Sequence, residues 1–61
     1  MKLYKILIRD NINQRFIKML NNDKKVYERN LNICLKAQDD LKCNIIFNGI
    51  TKDKQDLIEV L

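Results

Sequence analysis

Apolar residues in the first ten positions alternate only imperfectly, which is typical of a strand covered on both sides. In the segment from Lys2 to Arg9, KLYKILIR, apolar side chains fall on both faces of an extended chain. Lys5 and Arg9 interrupt the apolar run, and no small-residue cleavage site follows. We therefore interpret the segment as a strand rather than as a signal peptide or a membrane span.

A helical pattern follows, with apolar residues at spacings of three and four from Ile12 to Leu41. Asn11 is a good N-cap residue, and Gln14 stands three positions later as its capping-box partner. The pattern keeps its phase through the polar cluster NNDKK, which favours one helix from about Asn11 to Leu41. The turn-forming residues of that cluster, with Asp23 as a second N-cap, favour two helices instead.

The length of the helical segment helps to choose between these readings. One helix over residues 11–41 would span roughly 46 Å. A compact domain of 61 residues has a diameter of only roughly 27 Å. We therefore expect either a break between Asn21 and Lys25 or a second subunit that covers the overhanging helix, and we favour the break.

The C-terminal third begins with a short apolar strand candidate, CNIIF, at Cys43–Phe47. The Asn48-Gly49 pair that follows is a hairpin signal, which would make ITKDK a returning strand. Alternatively, Thr51 is an N-cap and KDKQDLIEVL is a short helix, which we favour because ITKDKQ is poor strand material. The apolar face of that helix would consist of Leu57, Ile58 and Leu61, and its exposed acidic edge of Asp53, Asp56 and Glu59.

These elements predict a single small two-layer domain over residues 1–61. Their order is strand, one long or two shorter helices, strand and short C-terminal helix, which belongs to the α+β class or to a small α/β unit. If the two strands pair around the helical crossover, they are parallel. Two strands are marginal, and a chain this short buries only about 60% of its surface. This favours a homodimer, in which the sheet extends from one copy to the next.

The charged residues are unevenly distributed along the chain. Eight of the twelve basic residues, but only three of the eight acidic ones, lie in residues 1–29. On the predicted helix, basic and amide side chains fall within a sector of roughly 80° opposite the apolar face. Such a polar face is ordinarily just solvated, but a stripe of one sign also suits a polyanion or an acidic protein surface. The candidate binding residues are Arg15, Lys18, Asn22, Lys25 and Arg29.

The residue types available offer little for catalysis. The chain has no His, no Ser and no Gly-rich phosphate loop, and neither Cys34 nor Cys43 has an obvious base. Two thiols alone do not form a tetrahedral zinc site, so we interpret both cysteines as small buried apolar residues, with a disulfide as the alternative. We predict no catalytic residues, no metal and no cofactor, and hence a protein that is not an enzyme.

These features favour a small non-enzymatic binding protein that docks on a host or partner protein and regulates or inhibits it. The alternative is a small basic regulator that binds DNA or RNA through the helical Arg/Lys stripe. Lys, Asn and Ile, whose codons are AT-rich, make up 26 of the 61 residues. We therefore expect a phage or mobile-element accessory protein in the cytoplasm, the host's if phage-encoded, with no membrane contact.

Overall fold

The structure, a computed structural model, describes the backbone of residues 2–60 and the side chains of residues 2–57. Within this part of the chain, three strands and two helices follow one another as β1 (Tyr4–Asp10), β2 (Arg15–Asn21), α1 (Lys24–Leu41), β3 (Cys43–Ile50) and α2 (Lys54–Val60). The strands form an antiparallel sheet in the order β2-β1-β3, with β1 in the centre. The predicted two-layer α+β class is confirmed.

The first turn and strand after β1 replace the helix predicted to begin at Asn11, and that prediction is wrong. The Asp10 carboxylate accepts hydrogen bonds from the backbone N–H groups of Ile12 and Asn13, at 3.0 and 3.2 Å. An aspartate that bonds the backbone two and three residues ahead stabilises a turn in competition with a helix. Gln14, the predicted capping-box residue, completes the turn in the left-handed region with φ 54°.

The helix predicted to begin after a break between Asn21 and Lys25 is confirmed as α1, although a strand rather than a first helix precedes it. The Asp23 side chain accepts a hydrogen bond from the backbone N–H of Lys25 at 2.9 Å, as an N-cap does. The helix ends at Lys42, whose left-handed conformation (φ 53°) lets its N–H reach the carbonyl oxygens of Gln38 and Asp39. α1 therefore has 18 residues and spans about 27 Å, which suits a domain of this size.

β3 confirms the apolar strand predicted at Cys43–Phe47 and extends it to Ile50. Its predicted parallel pairing with the first strand is wrong, because β2 reverses the chain once more before α1. Gly49 lies inside the strand with φ 145° rather than in a hairpin turn. A shift in pairing between Leu7 and Ile8 leaves Ile46 without a partner on β1, as in a β-bulge.

The predicted C-terminal helix is confirmed as α2, but Thr51 is not its N-cap. The Thr51 hydroxyl accepts a hydrogen bond from the Asp53 N–H at 3.2 Å, and the Asp53 carboxylate accepts one from the Gln55 N–H at 2.9 Å. The expected exposure of Asp56 is wrong, because this residue is only 2% exposed. Of the other predicted positions, Leu57 is half-buried, whereas the side chains of Ile58 and Glu59 and the whole of Leu61 lie outside the described residues.

One side of the sheet, the helix face, packs against α1. Because neighbouring residues of a strand point to opposite sides, the even positions of β1 share this face. Ile6 and Ile8 are buried here. The ring of Tyr4 stacks on that of Tyr27 from α1, with 4.8 Å between the centroids. The Tyr27 hydroxyl also donates to the side-chain oxygen of Asn48 on β3, at 3.3 Å. α1 and this face of the sheet therefore form the core layer.

The opposite side of the sheet is called the open face below. Among the described residues, only α2 approaches it, at the end that contains Lys5. The odd positions of β1 and their neighbours across the sheet form this face: Lys5, Leu7 and Arg9 on β1, Phe16, Lys18 and Leu20 on β2, and Phe47 and Gly49 on β3. The apolar cover that the first strand needs is thus complete on the helix face and partial on the open face.

Candidate nucleic-acid interface

Two phenylalanines stand on the open face, one on each outer strand. Phe16 of β2 is 59% exposed and Phe47 of β3 is 40% exposed. A cation from β1 lies against each ring: the Arg9 guanidinium carbon is 5.5 Å from the Phe16 centroid, and the Lys5 ammonium is 5.2 Å from the Phe47 centroid. Both distances fall within the range of cation–π attraction. The open face thus combines exposed rings with positive charge.

The antiparallel register sets the spacing of these two rings. Phe16 is the cross-strand partner of Arg9, and Phe47 is the partner of Leu7, two residues away along β1. With about 4.8 Å between strands and about 3.4 Å per residue, the two phenylalanine positions lie roughly 12 Å apart on the sheet. A single flat ligand cannot cover both rings at that distance, whereas two consecutive parts of a longer ligand can.

A cluster of two lysines and one aspartate closes one end of the open face. The Lys18 Nζ is 2.8 Å from Oδ1 of Asp56, and the Lys5 Nζ is 3.0 Å from Oδ2. The Thr51 hydroxyl donates to the same Oδ2 at 2.7 Å. The hydrogen bond from Lys18, with those from Thr51 and Lys5, holds the pKa of Asp56 well below its ordinary value, although burial acts to raise it. Asp56 is therefore ionised at neutral pH and ties α2 to the sheet.

The five candidate binding residues from the sequence do not share one surface, because part of their segment is strand β2. Arg15 lies beside the carboxylate of the β1–β2 turn, and Lys18 belongs to the open face. Asn22 is exposed in the connection before α1, and Lys25 and Arg29 are exposed on α1. Only Lys18 joins the two phenylalanines. A binding role for the other four stays a prediction.

Sequence reasoning missed Phe16, Phe47 and Arg9 as candidate residues. It placed Phe16 on the apolar face of a helix, although the segment RFIKMLN fits alternation as well as it fits a helical period. A period of two places Phe16 and Lys18 on the same face, which is the signal that could have found the site. No pattern within the sequence pairs either residue with Arg9, since that needs the register.

The two cysteines lie on the other side of the sheet, near the end of the helix layer. Cys34 of α1 and Cys43 of β3 are free thiols and half-buried. Burial raises the pKa of the Cys34 thiol, and the neighbouring Cys43 raises it further. Because the thiolate is the reactive form, a raised pKa makes this thiol a poorer nucleophile at neutral pH. Their geometry favours packing over chemistry.

The described residues form no pocket. They also contain no group of three side chains able to ligate a metal and no helix long and apolar enough to cross a membrane. That the protein is not an enzyme stays a prediction. Comparison with protein-family models, with curated proteins and with solved structures finds no match.

Proposed function

We propose that this protein binds single-stranded nucleic acid on its open face. The observation that carries the proposal is the pair of exposed phenylalanines, Phe16 and Phe47, on either side of a strand that presents Lys5 and Arg9. Proteins that bind single strands combine aromatic rings, on which bases stack, with cations that follow the phosphates. RNA-recognition modules place such rings on an open sheet.

The energetic case for this ligand depends mainly on stacking. A base stacked on an aromatic side chain contributes about 1–3 kcal/mol, and the two rings are far enough apart to take two different bases of one strand. Arg9 and Lys18 add positive charge beside the rings, although Lys18 already contacts Asp56. The formal net charge of +4 attracts a polyanion only modestly. We therefore expect weak to moderate affinity, with stacking as the larger contribution.

The decisive experiment measures binding of a fluorescein-labelled (dT)12 oligonucleotide by anisotropy in low salt. We expect the wild-type chain to bind, and Phe16→Ala and Phe47→Ala each to weaken binding roughly tenfold, since each removes a stacking platform. The matched control is Ile33→Ala, which removes an equally exposed apolar side chain (60%) from α1 and should leave the affinity unchanged. Binding that is unaffected by either phenylalanine substitution would refute the proposal.

The same assay separates the open face from the helical cations. Lys25→Gln with Arg29→Gln removes two positive charges from the exposed side of α1 and should lower the affinity only slightly. A loss larger than that of Phe16→Ala would instead assign binding to α1. Equal affinity for a duplex of the same length would also contradict base stacking, because the bases of a duplex are already stacked.

A second candidate is docking on a protein partner through the outer edge of β3, with a second copy of this chain as the partner. No charged residue occurs between Cys43 and Ile50, and the side chains of Ile46 and Ile50 are 51% and 47% exposed. An uncharged apolar edge strand is a template for pairing. Two β2 edges, by contrast, would bring Arg15 and Lys18 of both copies together. The homodimer predicted from the sequence would then form one six-stranded sheet.

Sedimentation velocity at micromolar concentration tests this dimer. We expect a dimer for the wild-type chain and a monomer for Ile46→Lys, because a lysine on an edge strand opposes pairing. Lys36→Ala on α1 serves as a control that changes an exposed residue of the other layer. A monomeric wild-type chain at these concentrations rules the dimer out. Regulation of a host protein, phage origin and cytoplasmic location stay predictions.

A further inference from the structure

We propose that Lys5 and Lys18 form a phosphate-binding subsite at the α2 end of the open face, and that the Asp56 carboxylate occupies this subsite in the free protein. The inference deepens the proposed function and rests on it. It makes Asp56 an intramolecular competitor of the nucleic-acid strand, so that part of the site is closed until a ligand phosphate displaces the carboxylate.

The geometry around Asp56 is that of a small anion held by converging donors. The two ammonium groups contact different oxygens of the carboxylate, Lys18 on Oδ1 at 2.8 Å and Lys5 on Oδ2 at 3.0 Å. The Thr51 hydroxyl adds a third donor to Oδ2 at 2.7 Å. A phosphate presents oxygens to the same kinds of donor, and lysine is a common phosphate ligand. The subsite therefore already has the chemistry that a phosphodiester needs.

The subsite lies beside the proposed stacking platforms. Lys18 is on the same face of β2 as Phe16, two residues further along the strand. The Lys5 ammonium that contacts Asp56 is also the cation above the Phe47 ring, 5.2 Å from its centroid. A strand with bases stacked on both rings therefore brings phosphates towards these two lysines. If the two lysines lay away from the rings, their ion pairs with Asp56 would serve only to fasten α2 to the sheet.

α2 is a short element of seven residues, and its described part contacts the sheet at this point. Asp56 is its buried residue among the described side chains. Exchange of the carboxylate for a phosphate would therefore release the ion pairs through which the described part of α2 contacts β1 and β2.

Asp56→Asn tests the inference in the (dT)12 anisotropy assay. Removing the competing carboxylate charge opens the subsite to a ligand phosphate, and we expect binding roughly tenfold tighter, the effect of about one additional charge-assisted contact. The slope of log affinity against log salt should also steepen by about 0.7 for each phosphate gained. Asp40→Asn on α1 makes the same change of net charge away from the site and sets the background. Asp56→Asn that binds no tighter than Asp40→Asn overturns the inference.

A double variant checks that the gain arises at the subsite. Adding Lys18→Gln to Asp56→Asn should cancel most of the gain and bring the salt slope back towards that of the wild-type chain. A merely structural role for Asp56, in which its loss loosens the protein, predicts no such reversal. Persistence of the full gain without Lys18 would therefore also overturn the inference.

A measurement on the wild-type chain covers the case in which Asp56→Asn does not fold. The pKa of the Asp56 carboxyl, followed by carbon NMR, should rise towards its ordinary value of 3.8 when saturating (dT)12 takes the lysines away. An Asp56 pKa that is unchanged by bound oligonucleotide contradicts the inference while leaving the proposed function intact. If (dT)12 binds neither the wild-type chain nor Asp56→Asn, the proposed function fails as well.

Discussion

The two faces of the sheet are made by the same three strands but have opposite roles. On the helix face, Ile6 is 1% exposed and Tyr4 stacks on Tyr27 of α1. On the open face, Phe16 and Phe47 remain largely exposed, and each has a cation from β1 beside it. One face therefore supplies most of the buried apolar core among the described residues. The other leaves aromatic rings exposed beside positive charge.

The residue types along β1 differ between the two faces in the same way. Its even positions carry Ile6 and Ile8, whereas its odd positions place Lys5 and Arg9 around Leu7. A long side chain can lay its apolar stem on a sheet and keep its charge in water, so lysine and arginine suit a partly covered face. Aromatic residues on such a face, without a covering layer, are typical of a binding surface rather than of a core.

The largest effect is expected from a pair of substitutions, one on each face. Ile6→Ala removes a fully buried side chain from the central strand and should lower the free energy of unfolding by about 2–5 kcal/mol. Phe16→Ala removes a larger but exposed side chain from an outer strand and should cost about 1 kcal/mol or less. Urea unfolding at 25 °C, followed by circular dichroism, measures both.

Oligonucleotide binding by the two variants should show the reverse order, provided that Ile6→Ala stays folded at low temperature. Phe16→Ala should then lose most of the affinity, and Ile6→Ala little of it. Equal losses of stability in the two variants would mean that the open face is covered in solution, for example by a second copy. The comparison between the faces would then have to be made in a dimer.

The elements that the sequence predicted correctly have strong local signals. The first strand, the break at Asp23, the strand after Cys43 and the final helix each depend on a cap, a turn or an apolar run in one place. β2 has no such signal, because the apolar residues of RFIKMLN fit the two-residue period of a strand as well as the period of a helix. The hydrogen bonds of the Asp10 turn favour a strand over a helix for this segment. Its pairing with β1, which is a tertiary contact, does so as well.

The open face could not be predicted because it depends on β2, the strand that the sequence did not reveal. With Phe16 assigned to a helix, Lys18 appeared to share a stripe with Lys25 and Arg29, on what is now the opposite layer. The cluster of Lys5, Lys18 and Asp56 joins residues separated by up to 51 positions in the sequence. Only the register of the sheet and the return of α2 bring them together, so no stretch of neighbouring residues contains a sign of this cluster.

A smaller effect is expected in acid, mainly from the open face. The pKa of Asp56 is lowered in the folded chain, mainly by Lys18 and Thr51. Its stabilising contribution is therefore present above the ordinary value of 3.8 and is lost as pH falls towards the lower folded pKa. The free energy of unfolding, measured in urea from pH 7 to pH 2, should begin to fall near pH 4. Asp10, whose pKa is lowered mainly by Asn13, contributes in the same direction.

Asp56→Asn should flatten this decline, because the substituted side chain takes up no proton. It should also lower stability at pH 7, where Lys5 and Lys18 lose their ion pairs with this carboxylate. Asp40→Asn provides the comparison and should keep the wild-type pH dependence. A decline of the same steepness in Asp56→Asn would show that other carboxylates account for it, and that the contact between α2 and the open face contributes little.

The smallest effect is expected at the C-terminus of α1, on the helix layer. Lys42 holds a left-handed conformation with φ 53°, which costs an L-residue about 1 kcal/mol and glycine almost nothing. The cap needs only the backbone N–H of this residue, and its side chain is exposed. Lys42→Gly should therefore stabilise the domain, by about 0.5 kcal/mol after the greater freedom of glycine in the unfolded chain is counted.

Lys36→Gly is the matched control for this last substitution, since it removes the same charge from an exposed position inside α1. It should destabilise the domain by about 1 kcal/mol, the usual cost of glycine within a helix. A loss of stability in both variants would mean that the left-handed cap is not formed in solution. Because both positions belong to the helix layer, both variants should bind (dT)12 with equal affinity. A change of affinity in Lys42→Gly alone would show that the two faces are coupled through the α1–β3 connection.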